Sequence, residues 1–266
     1  MINPYYIVEP KGKKVPIIIS VPHCGLEIPK DLKANYLETQ LKSLDDADWF
    51  VHDLYNFASE MGITIIYAKY HRWLIDLNRD VKSVPLYNDG RLITGLCSTT
   101  DFFGNPIYKT GKEPDKKEVD NRLNEYFWPY YSKVESLLEE RKAEFGKVLL
   151  WDAHSIRKSV PTIQKEDFPD MILGNDNHTT ASQNLIDTAF NQLCESEFQI
   201  NHNTPFKGGH ITRYFGKPEN NINALQLEMN KVLYMDDSET KFDTERAEKV
   251  RASLVPVFEK LIEVLT

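Results

Sequence analysis

Two short apolar runs, "VPIIISV" at 15–21 and "VLLW" at 148–151, constrain this chain more than anything else in it. Each is unbroken rather than alternating and too short for a buried helix, so both read as strands covered on both faces. Strands of that kind lie in the middle of a sheet with helices packed above and below. Each run also stops at chemistry: the first on His23, the second on Asp152, His154 and Ser155.

The rest of the chain alternates in the same sense. "LDDADWFVHDLYNFASEMG" has the period of an amphipathic helix stopped by Gly62, and "ITIIYAKY" and "RWLIDLN" read as two further strands. A long Gly/Pro/Asn-punctuated excursion, 84–114, follows, and loops of that length are usually functional. Residues 115–146 read as a long helical region, bent or restarted near Pro129. Another helix is expected over "TTASQNLIDTAFNQLCES", a strand or strand-to-helix turn over "NALQLEMNKVLYM", and a closing amphipathic helix over 243–265. There are no internal repeats and no linker, so 1–266 reads as one α/β domain with a mostly parallel sheet.

Several function classes drop out. A net charge of -8 and the lack of a basic run argue against nucleic acid as a partner. No apolar stretch approaches a membrane span, and the first residues lack the pattern of a signal peptide. Three scattered cysteines, Cys24, Cys97 and Cys194, suit reduced thiols, so a cytoplasmic location is expected. Neither GxGxxG nor GxxxxGK[ST] occurs, which disfavours a phosphate-binding module. No GxSxG surrounds Ser155, which reads as a cap rather than a nucleophile.

In open α/β sheets, ligands bind beyond the carboxyl ends of the strands. Parallel strands would bring His23, the "DLNR" segment at 76–79 and "DAHS" at 152–155 to one rim. Two imidazoles and one carboxylate there suit Zn²⁺ with a position left for water. Asp152 then reads as a partner orienting His154, with a turn cap as the alternative.

Taken together, "IIISVPHCGLEIP", "DADWFVHDLY", "RWLIDLNRD", "LLWDAHSIR", "FKGGHITRYFG" and "ALQLEMN" resemble the N-formylglutamate amidohydrolase family, in order from about residue 15 to 235. The family is more distantly similar to zinc carboxypeptidases and aspartoacylase-like amidohydrolases. The resemblance implies a zinc-carboxypeptidase-like mixed sheet and a metal, zinc or another divalent ion, held by His23 and His154. For the acidic ligand it points to Asp48 first, then Asp46, then Glu27. It implies Asn78 and Arg79 as readers of a substrate carboxylate, Arg213 as a second clamp, and His210 as a donor in the same Gly-rich block. Glu228 would be the general base; Arg72 has no settled role. The implied reaction is hydrolysis of N-formylglutamate to formate and L-glutamate, a step of histidine breakdown. A deacylase of another N-acylated acidic amino acid is the alternative, since acyl pockets discriminate weakly by size.

Overall fold

A computed structural model describes residues 2–82, 84–86 and 90–266. Met1 and Ser83, and 87–89 inside the predicted excursion, lie outside the described residues. Seven strands form one sheet: β1 Tyr5–Val8, β2 Ile17–Val21, β3 Thr64–Ala68, β4 Val148–Ile156, β5 Met171–Gly174, β6 Ile200–His202 and β7 Ile222–Asn230. Their order across the sheet is β1-β3-β2-β4-β7-β5-β6. Strands β3, β2, β4 and β7 run parallel, β5 pairs antiparallel with β7, and β1 caps β3 antiparallel at one edge. The sheet is therefore mixed and mostly parallel, as the apolar runs require.

Seven α-helices accompany it among the described residues: α1 Glu38–Ser43, α2 Val51–Leu54, α3 Lys116–Arg122, α4 Trp128–Phe145, α5 Gln183–Cys194, α6 His210–Phe215 and α7 Thr244–Leu265. The pleat divides the core in two. Ile17, Ile19 and Val21 of β2 join a layer with α2, α5 and α7, while Ile18 joins Leu150 and the apolar face of α4. A strand buried on both sides cannot alternate in sequence, which is why 15–21 is a continuous run. No helix is long and apolar enough to cross a membrane among the described residues.

Three local expectations need correction. The helix expected over 44–62 is only α2, followed by a 3₁₀ turn at Asn56–Ser59. Its start is held out of helix because Asp46 accepts the Trp73 indole N–H at 2.7 Å and the Phe102 N–H at 3.2 Å, and the Asp48 N–H donates to the His23 carbonyl. "RWLIDLN" is a run of turns, not a strand. Asp76 takes the Asn78 N–H at 2.9 Å and His71 takes the Trp73 N–H at 3.1 Å, local bonds that compete with a ladder. Strand β4 runs on to Ile156, because β7 pairs with it to the end, so Asp152 and His154 lie within the strand. The helical region 115–146 is continuous: α3 passes through a π-type turn at Leu123–Phe127 into α4 just before Pro129. That turn absorbs the mismatch a proline creates in a hydrogen-bonded helix.

Candidate active site

Strands β2, β4 and β7 are parallel neighbours, so their carboxyl ends share one rim, and a cavity opens there. His23 reaches it two residues past the end of β2. His154 reaches it from β4, directly in register with Glu228 of β7. Asp48 enters from the turn before α2, where the Ser155 N–H holds its Oδ2 at 3.2 Å. His23, Asp48 and His154 are all buried, and one donor atom from each lies within 4.8 Å of the other two.

The ring nitrogens divide their work. His23 Nδ1 and His154 Nδ1 both face Asp48 Oδ2, at 3.7 and 3.3 Å. The far nitrogens are occupied elsewhere: His23 Nε2 donates to Asp76 Oδ1 at 2.8 Å, and His154 Nε2 meets Asn78 Nδ2 at 3.2 Å with Asp152 Oδ1 3.1 Å away. His23 Nδ1 is buried with no hydrogen-bond partner among the described residues. An orphaned ring nitrogen aimed at a carboxylate and a second imidazole is what a divalent cation would satisfy. The donor set fits such an ion, and with the far nitrogens engaged by Asp76 on His23 and by Asn78 beside Asp152 on His154, each ring would offer its Nδ1. The other acidic candidates point elsewhere. Asp46 is spent on Trp73 and Phe102, and Glu27 is largely exposed beside Lys69.

Charge is concentrated here. Burial works against ionising Asp48, but the hydrogen bond from His154 and the His23 ring beside it outweigh it and hold the carboxyl far below its ordinary range. Burial opposes a charged ring at His154 as well, and the charge of Asp152 overrides it, raising that group well above the usual histidine value. Asp76 is likewise kept ionised against burial by Arg72 and then Arg79. Glu228 differs from all three. It is part-covered where it meets the cavity, yet the protein packed around it pushes its carboxyl up to about 7.

The remaining candidates separate into two groups. Asn78 and Arg79 line the cavity. Arg79 is set in place by its Nε donating to the Thr94 carbonyl at 2.9 Å and its Nη2 to Thr94 Oγ1 at 3.0 Å. Arg213 and His210 are not among the residues lining it. Arg213 pairs with Asp176 at 3.0 Å and donates to the Gly208 carbonyl, and His210 sits among the rings of Tyr131 and Tyr214. Two arginines given no role by the sequence do line it. Arg72 donates to Asp76 at 2.6 Å with its guanidinium 4.7 Å from the centre of the Phe102 ring, and Arg91 lies 5.7 Å from that of Phe206. The bond of Asp76 to His23 and the place of Gln226 in the cavity were missed too. Gln226 was legible, because in a strand the residue two before Glu228 shares its face.

Comparison with known proteins follows the same line. The sequence model of the N-formylglutamate amidohydrolase family matches residues 15–235. The chain is 37% identical over 255 residues to a protein of Pseudomonas aeruginosa named N-formylglutamate deformylase, covering 95% of this chain and 94% of that one. A Pseudomonas putida protein of the same name is 36% identical over 228 residues, covering 85% and 84%. The crystal structure of N-formylglutamate amidohydrolase from Ralstonia eutropha JMP134 superposes with a TM-score of 0.84 at 25% identity, covering 99% of this chain and 98% of that one.

Proposed function

The chain belongs to the N-formylglutamate amidohydrolase family, and we propose that it hydrolyses the formamide bond of N-formyl-L-glutamate to formate and L-glutamate, using a zinc ion held by His23, Asp48 and His154. The observation that carries this reading is the register of β4 and β7, which sets Glu228 beside His154 at the cavity. A bound divalent cation supplies Lewis-acid polarisation of the formyl carbonyl and lowers the pKa of water. The chain's own residues do the rest. Glu228, with its carboxyl near 7, takes a proton from the attacking water and delivers it to the departing amine nitrogen. Arg72, braced by Asp76, places a fixed positive charge in the cavity wall for the oxygen that becomes anionic. Arg79 and Arg91 also line that cavity, and planar guanidinium forks suit the two carboxylates of the substrate.

The test is a substrate pair. Polar sites reject analogues that lack a partner charge far more sharply than apolar pockets reject a change of size. N-formylglutamate should exceed N-formylglutamine in kcat/KM by roughly 100-fold or more. Equal rates of formate release from the two would remove glutamate as the substrate while leaving a metal amidase in place.

A further inference from the structure

We propose that Gln226 is a positioning residue that holds Glu228 in its working orientation, and that the Gly208–Gly209 turn holds Gln226. The inference rests on reading Glu228 as the general base. Gln226 and Glu228 are two residues apart on β7, so their side chains emerge on the same face. Gln226 is buried, lines the cavity, and lies in register with Asp152 on one side and Gly174 on the other. The absence of a side chain at Gly174 is what lets the turn come down onto the sheet: a Cβ there would stand 2.6 Å from the Gly208 nitrogen. On the other side of the turn, a Cβ on Gly209 would stand 2.1 Å from the Asn78 amide.

Seated that closely, the Gly209 N–H donates to Gln226 Oε1 at 2.6 Å. This contact decides the orientation of the amide, since an NH₂ group in that place would meet another donor. Gln226 Nε2 is therefore the end that faces Glu228, and it donates to Oε2 at 3.2 Å. A glutamate side chain has freely turning bonds, and one pinned oxygen removes most of that freedom. Oε1 is left as the oxygen that meets the water. The sequence block "KGGHITR" thus serves the reaction through a backbone N–H that holds the residue positioning the base.

Steady-state kinetics on N-formylglutamate with four zinc-loaded proteins test this: wild type, Gln226→Met, Glu228→Gln and the double variant. Gln226→Met should lower kcat roughly 10- to 100-fold, the scale of a misplaced catalytic group, with KM and zinc content near wild type. In the Glu228→Gln background the same substitution should change kcat by less than about 2-fold, because its effect has no carboxylate to act through. Equal fold losses in both backgrounds would overturn the positioning role and make Gln226 a support for the fold. If Glu228→Gln alone kept a near-normal kcat, the general-base reading would fall first, on a separate arm of the same cycle. Should Gln226→Met fail to fold, Gln226→Glu serves in the same cycle. It keeps an acceptor for the Gly209 N–H and replaces the donor facing Glu228 with a second carboxylate, so its loss of kcat should exceed that of Gln226→Met and again be largely absent in the Glu228→Gln background.

Discussion

The floor of the cavity and its mouth are made of different material. His23, His154 and Glu228 sit on or just beyond β2, β4 and β7, the middle of the sheet, with core packed behind them. Arg91, Phe102 and Phe206 stand on loops, where the chain is tied by contacts such as Arg91 Nη1 to the Pro205 carbonyl at 3.3 Å. Chemistry that needs atoms held to a fraction of an ångström belongs on strands, and selectivity that has to suit one substrate belongs on loops. Substitutions in the floor should therefore act on kcat and metal, and substitutions in the mouth on KM.

The sharpest contrast comes from the base. Glu228→Gln is isosteric and should keep the fold and the zinc while kcat falls about 10²- to 10⁴-fold. A parallel rise in KM, or loss of zinc, would blur the division between floor and mouth. One layer back, Asp76→Asn keeps its shape but weakens the grip on His23 Nε2. We expect zinc affinity or kcat to fall roughly 10- to 100-fold, read by chelator competition and kinetics. The same substitution also frees Arg72 from its carboxylate partner, so near-normal values would show that neither side chain needs Asp76. The smallest effect belongs to the mouth. Arg91→Ala should raise KM for N-formylglutamate by about 10-fold, the worth of one charge-assisted contact, with kcat little changed. A fall in kcat with KM unmoved would place Arg91 in the chemistry and break the comparison.

The same division explains what could be read from sequence. The floor was legible because its residues end or occupy apolar runs whose length and continuity dictate central strands. His23 and His154 are found that way, Glu228 enters through the family resemblance, and the parallel pairing that gathers them follows from the alternation of strands and helices. Asp48 was harder, since 44–62 has the periodicity of one long helix. The structure gives up most of that helix so that Asp46 and Asp48 can turn inward, a case of buried polar bonds overriding local propensity. Asp76 was half legible: its segment was expected on the rim with His23, but it is a run of turns rather than a strand that brings its carboxylate onto His23 Nε2 from 53 residues away. Arg213 and Arg91 show the limit on the mouth. Arg91 stands on a Gly-punctuated loop and Arg213 on α6 just after Gly208 and Gly209, and only the folded path decides that one faces the cavity and the other Asp176.

The central claim is that one metal ion, held by His23, Asp48 and His154, is what the floor is built around. Zinc titrated into chelator-stripped protein, with formate release followed at each addition, tests it most directly. The account predicts no turnover in stripped protein, a linear recovery that saturates at about one zinc per chain, and no recovery in Asp48→Ala. Full turnover by the stripped protein, or normal stoichiometric loading of Asp48→Ala, would contradict it.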